Sequence, residues 1–202
     1  AALALAVVDG AIAAAGAADE VDRALSGLGL DPTGQPVLDA QGGLLTPGLV
    51  DPHTHLLFGG TRERELLLRQ HGAGYLEILA AGGGILSTVD RTREATADQL
   101  HAHGRRWLRE MLSHGVTTAE VKTGYGLDCK TEMKMLEAIA ELNSEHPVDL
   151  IPTFLGAHAV PSGMTRKEYL REVRAMLPEA AKRARFCDVF CEEGYFSPAE
   201  SF

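Results

Sequence analysis

Two rhythms of apolar and polar positions alternate along most of the chain. Short apolar runs at 49–53, 116–121, 148–154 and 186–190, the second of them β-branched, read as strands. Between them, segments 63–80, 96–114, 131–143 and 166–177 carry apolar residues at helical spacing and read as helices. In 96–114 the predicted inward face is Leu100, Trp107, Leu108, Met111 and Leu112, with Gly115 as the stop. In 131–143 it is Met135, Leu136, Ile139 and Leu142. Gly82-Gly83-Gly84 predicts a break after the first helix, and Ser197-Pro198-Ala199-Glu200 predicts the start of another.

Strand and helix alternate four times, and the polar or unusual residues fall just after each strand. This is the pattern of an α/β fold of the (β/α) barrel kind, in which functional groups sit on loops at the carboxyl ends of the strands. A complete barrel takes about 250 residues, so residues 47–202 predict its first half. Residues 1–46 differ in texture. They are rich in Ala and Gly, with turn signals at Asp9-Gly10, Asp31-Pro32-Thr33-Gly34 and Gln41-Gly42-Gly43. A hairpin through Val7-Val8-Asp9-Gly10-Ala11-Ile12 and a short strand at Pro36-Val37-Leu38-Asp39-Ala40 predict a small β layer. The chain opens without a Met, from which a missing upstream piece is expected.

Composition narrows the function classes. Of 202 residues, 45% are hydrophobic and 23% charged, enough for a real core and ordinary for a globular protein. The net charge of −9 argues against nucleic acid, which requires clustered Lys and Arg, and favours small-molecule partners. No apolar run approaches the roughly 20 residues of a membrane helix. The apolar opening lacks a basic flank and runs into a turn, so strand and hairpin are expected rather than a signal peptide. Three cysteines, Cys129, Cys187 and Cys191, form no Cys-x-x-Cys and predict a reduced, cytoplasmic protein. Cys187 and Cys191 are candidate metal ligands, but buried thiols packing as small hydrophobes are the preferred reading.

The candidate chemistry centres on Pro47-Gly48-Leu49-Val50-Asp51-Pro52-His53-Thr54-His55. Residues two apart on a strand share a face, so His53 and His55 point the same way, and their ring nitrogens can converge on one divalent metal. They supply half a metal site. A bare His-x-His is more often a chance pair on a solvated loop; closure of an apolar strand, the flanking Asp51 and Pro52, and the turn Leu56-Leu57-Phe58-Gly59-Gly60 reverse that preference in favour of the metal.

The run from Thr46 to His55 resembles the amidohydrolase superfamily. Its extension through Phe58-Gly59-Gly60-Thr61-Arg62 resembles the imidazolonepropionase family in particular. So do Gly82-Gly83-Gly84-Ile85, Lys122-Thr123-Gly124-Tyr125-Gly126-Leu127, Pro152-Thr153-Phe154-Leu155-Gly156-Ala157-His158-Ala159-Val160-Pro161 and Cys187-Asp188-Val189-Phe190-Cys191-Glu192-Glu193-Gly194. The resemblance implies an amidohydrolase-type (β/α)8 TIM barrel beside a small β-sandwich, with residues 1–46 part of the sandwich and 47–202 the amino-terminal half of the barrel. It implies hydrolytic opening of 4-imidazolone-5-propanoate to N-formimino-L-glutamate, the third step of histidine degradation, and a homodimer for the full-length protein.

On the same resemblance, His53 and His55 hold one zinc or iron ion, and Arg62, Tyr125 and His158 bind substrate. From the residues alone, Arg62 is equally a solvated arginine, whereas Tyr125 is more often a packing residue and His158 usually a hydrogen-bonded core histidine. Lys122 matches a position where some superfamily members carry a bridging modified lysine. With one metal expected, it is read as structural or as a support for neighbouring groups. Glu192 and Glu193 are either orienting groups or a solvated carboxylate pair. The family's remaining metal ligands and its general acid/base glutamate are expected beyond Phe202, so this chain alone is expected to be inactive. Two rivals stand beside this reading: another cyclic-amide amidohydrolase with the same metal pair, and a noncatalytic piece that acts only by pairing with a complementary half.

Overall fold

The structure is a computed structural model and describes residues 3–74, 77–78 and 83–202. It divides into two units, Ala1–Thr46 and Pro47–Phe202.

In the first unit, strand β1 (Leu3–Val8) pairs antiparallel with β2 (Ala11–Ala17) across Asp9-Gly10. Both turn residues have positive φ, 50° and 76°, as the tight hairpin turn that matches strand twist requires. Helix α1 (Ala18–Gly27) follows without a break; the Glu20 carboxylate accepts the Ala17 N–H at 3.2 Å and so caps its start. Val21 and Leu25 pack with Ala6 in a small core. Asp31-Pro32-Thr33-Gly34 forms a 3-10 turn over Pro32–Gly34, and Gln41-Gly42 a turn closed by the Gly43 N–H to the Ala40 carbonyl at 2.7 Å. Residues 36–40 form no strand, contrary to expectation: Val37 and Leu38 are 87% and 96% exposed, and the segment pairs with no other strand.

The second unit holds a parallel sheet of β3 (Leu49–Thr54), β4 (Val116–Lys122), β5 (Asp149–Ala157) and β6 (Phe186–Val189), ordered as in sequence. The order is that of a partial (β/α) barrel, with the helices as crossovers. These are α2 (Glu63–Gln70), α3 (Ile85–Glu94), α4 (Ala97–Ser113), α5 (Cys129–Glu145) and α6 (Arg166–Ala180), with a short α7 (Pro198–Ser201) at the end.

Local chemistry sets the helix ends. Thr96 and Gln99 cap α4 reciprocally, at 3.2 and 2.9 Å, and Asp128 accepts the Thr131 N–H at 2.7 Å to start α5. Helix α2 stops at Gln70, short of the expected 63–80; His71 and Gly72, the latter at φ 87°, turn the chain there. The remainder of that expectation, and Gly82 of the predicted break, fall partly outside the described residues.

The core lies between sheet and helices. Met135, Leu136, Ile139 and Leu142 of α5 are completely or almost completely buried with Ala119, Val121, Leu150 and Phe154 of the strands. Leu100 and Leu108 supply the buried stripe of α4 together with Gly104. Trp107 corrects the predicted face: it lies beside that stripe, 41% exposed, with the Arg106 guanidinium 5.6 Å from its ring. Cys187 and Cys191 correct a second expectation, since both are exposed rather than buried. Leu49, Val50 and Phe186 on the two outer strands are more than half exposed.

A polar network ties the four strands. The Thr54 hydroxyl donates to the Glu120 carbonyl at 2.6 Å, and the Thr153 hydroxyl to the Glu120 carboxylate at 2.6 Å. The Lys122 ammonium, itself only 6% exposed, bridges Glu120 and Asp188, each at 2.8 Å. Burial pushes both carboxyls up, but the hydrogen bonds from Lys122, with Thr153 on Glu120 and the Val189 N–H on Asp188, outweigh it and leave both below the usual carboxylate range.

Two outcomes follow for stability. A Cβ on Gly104 would stand 2.5 Å from Leu142 Cδ1 and 2.8 Å from Leu57 Cδ2, both on fully buried side chains. Overpacking costs about 1–3 kcal/mol, more than the helix-propensity gain of at most ~1 kcal/mol from replacing glycine, so Gly104→Val should lower the urea midpoint. An unchanged midpoint would contradict the close α4–α5 approach. The depressed carboxyls of Glu120 and Asp188 contribute stability above their unfolded pKa near 4, lost as pH falls through the lower folded values. Wild-type stability should therefore decline below about pH 4, and Lys122→Met, less stable at pH 7, should decline less steeply. Parallel pH profiles in chemical denaturation would refute the linkage.

Candidate metal and substrate site

Parallel strands in sequence order deliver their carboxyl ends to one edge of the sheet, and the aromatic and imidazole groups gather there. His53 belongs to β3 and His55 follows it; Tyr125 is on the loop after β4, His158 directly after β5, and Phe190 directly after β6. The His55 ring is the hub. Its centroid is 5.6 Å from His53, 4.8 Å from Tyr125 and 4.7 Å from His158, on which it stacks within 8° of parallel. Tyr125 and His158 are 5.3 Å apart, and Phe190 closes the far side 6.0 Å from His158.

The surroundings keep His55 and His158 neutral. Burial, reinforced by the neighbouring His158 and His53, pushes His55 down to about 3. Burial also lowers His158, against a hydrogen bond with Gly124 that favours its charged form. Its Nδ1 lies 2.9 Å from the Gly124 carbonyl; a carbonyl only accepts, so Nδ1 carries the proton and Nε2 is the ring's other, unprotonated nitrogen. Burial raises the Tyr125 phenol, and the Arg62 charge acts against it, which places Arg62 within electrostatic reach of the cluster. Arg62 stands at the start of α2 and pairs with the nearly buried Glu65 carboxylate at 3.1 Å. Glu65 also accepts the Gly84 N–H at 2.7 Å.

The donor set fits part of a metal site. His55 Nδ1 is buried with no hydrogen-bond partner, and His53 lies beside it. Among the described residues no group of three or more His, Cys, Asp or Glu side chains is arranged to hold a metal, whereas catalytic zinc sites use three protein ligands.

Other predicted residues take different places. Lys122 is engaged by Glu120 and Asp188 in the sheet network. Glu192 and Glu193 are exposed, and the Glu192 carboxylate accepts only its neighbour's N–H, at 3.2 Å, among the described contacts. Cys187 and Cys191 are exposed and belong to no metal-binding group among the described residues.

Sequence reasoning missed Glu132 and Arg93, which hold the loop carrying Tyr125. The Glu132 carboxylate, completely buried, accepts the N–H groups of Gly124, Gly126 and Leu127. Arg93 donates to the carbonyls of Gly126 and Leu127 at 2.7 and 3.1 Å. The available signal was an acid in the first turn of a helix that follows a Gly-x-Gly loop.

No family model matches the chain. Curated relatives do. An imidazolonepropionase of Alkaliphilus metalliredigens (strain QYMF) is 55% identical over 82% of this chain and 40% of its own length. Imidazolonepropionases of Bacillus thuringiensis (strain Al Hakam) and Bacillus cereus (strain AH187) are each 54% identical over the same shares. The chain spans about 40% of the length of the curated relatives it matches, and by this similarity it belongs to the imidazolonepropionase family.

Proposed function

We propose that the protein of which this chain forms a part hydrolyses the ring amide C–N bond of 4-imidazolone-5-propanoate to give N-formimino-L-glutamate. The observation that carries the reading is the cluster of His53, His55 and His158 with Tyr125 at one sheet edge, in a chain 55% identical to an imidazolonepropionase. The surrounding architecture is proposed as an amidohydrolase-type (β/α)8 barrel, to which residues 47–202 contribute the amino-terminal half, beside a β-sandwich that includes residues 1–46. A cytoplasmic homodimer is the corresponding full-length form.

His53 and His55 would supply two nitrogen ligands to zinc or iron, both of which imidazole accepts. A metal in such a site lowers the pKa of water to about 7 and polarises a carbonyl. The residues of this chain bind and orient. Arg62 offers a planar guanidinium fork to the propanoate carboxylate, exchanging its pairing with Glu65 for the substrate. Tyr125 presents a protonated phenol and His158 its Nε2 to the ring, positions that hold the amide carbonyl toward His53 and His55. Hydrolysis adds water across the bond: oxygen goes to the carbonyl carbon, and a proton to the departing ring nitrogen. The group that moves this proton is expected outside the chain. The incomplete ligand set favours a second reading, in which this chain alone is noncatalytic.

Purified as it stands, the chain should give no turnover of freshly generated 4-imidazolone-5-propanoate and bind less than one metal per chain; turnover with one metal per chain would overturn the incomplete-site reading. In a full-length protein containing this sequence, Arg62→Ala should raise KM by about 10–100-fold, as expected for loss of a bond between charged groups, with metal content intact. His53→Ala should instead deplete the metal. Loss of metal in the Arg62 variant would refute the assignment.

A further inference from the structure

We propose that Glu132 is a positioning residue: its buried carboxylate, cradled by the backbone of the 123–127 loop, sets the placement of Tyr125 and the tautomer of His158 together. This rests on the reading that Tyr125 and His158 bind substrate. Glu132 lies in the first turn of α5, outside the aromatic cluster, and is completely buried. Both its oxygens take the Gly124 N–H, at 3.2 and 3.1 Å, and Oε1 also takes those of Gly126 at 2.7 Å and Leu127 at 2.9 Å. Successive amides turned inward on one carboxyl group form a backbone nest. The loop reaches that shape through Gly124 at φ 102° and Leu127 at φ 52°, the second a conformation that non-glycine residues rarely hold without outside support.

The same peptide units face the site. Gly124 gives its N–H to Glu132 and its carbonyl to His158 Nδ1 at 2.9 Å. Tyr125 sits between two residues whose amides are fixed by the carboxylate. Arg93 holds the outer side of the loop through the Gly126 and Leu127 carbonyls and through Asp128 at 2.8 Å. There is no slack for substitution: a Cβ on Gly126 would lie 2.7 Å from the Glu132 nitrogen and 2.8 Å from its Oε1. Replacing the carboxyl by an amide leaves fewer acceptor sites for a set of buried N–H groups and brings a donor into a nest of donors. The Gly124 carbonyl is then released from its place, and His158 with it.

The test is nitrogen-15 NMR on this chain with Glu132→Gln, and with Gly126→Ala as the variant that leaves the carboxylate in place. Amide exchange at Gly124, Gly126 and Leu127 should accelerate roughly tenfold or more relative to Leu136 and Ile139 in α5, as loss of hydrogen bonds to a charged group implies. The ring nitrogens of His158 should move from the single Nδ1-protonated form toward a tautomer mixture. A purely structural glutamate would raise exchange evenly through α5 and the loop, or leave the His158 ring signals unchanged; either result overturns the proposal. If Glu132→Gln does not fold, Gly126→Ala decides by the same two signals. In a full-length protein containing this sequence, Glu132→Gln should raise KM more than it lowers kcat, with metal content unchanged. Absence of wild-type turnover of 4-imidazolone-5-propanoate would remove the functional reading, while exchange and ring signals still judge the role of Glu132.

Discussion

Parallel pairing is the constraint from which the larger unit follows. A parallel neighbour cannot be reached by a tight turn, so each of the three strand pairings needs a return path along the sheet. The chain supplies that path with helices whose apolar stripes cover the strands, Met135, Leu136, Ile139 and Leu142 above all. Every strand then ends at the same edge. Residues distant in sequence, His55, Tyr125, His158 and Phe190, become neighbours there without any direct local signal for their meeting.

Burial does different work on different groups at that edge. It strips charge from imidazoles, leaving neutral nitrogens suited to ligation and hydrogen bonding. It also pushes the Glu132 carboxyl up, against the loop hydrogen bonds and the Thr123 hydroxyl that favour its charged form. Deeper along the strands, Lys122 holds two carboxylates as anions. The sheet thus carries an ionic network beside a largely aromatic rim.

Much of this order was legible in the sequence. The strands stood out because short apolar runs end in glycine, proline or polar loops, and His53 and His55 because residues two apart on a strand share a face. Helix α3 was not legible: its inward side includes Thr88 and Thr92, polar by type yet buried, the Thr92 hydroxyl accepting the Gly59 N–H at 2.9 Å and donating to the Thr88 carbonyl at 2.7 Å. Trp107 read as core from its place in the helical spacing, but the close approach of α4 to α5 is made by Gly104, and the tryptophan lies on the flank. Glu132 looked like any acid at a helix start, where solvent and the helix dipole suffice to explain it. Only the folded loop shows which amides it serves.

The sheet's connection lengths have a consequence for its assembly. The β3–β4 pairing, as at Val50 and Thr118, joins residues about twice as far apart in sequence as the β4–β5 pairing at Thr118 and Asp149. Closing the longer loop loses about 0.6 kcal/mol more chain entropy. The strand that brings His53 and His55 is therefore the one whose arrival the polymer resists most, and the two imidazoles reach a rim that the later strands can build among themselves.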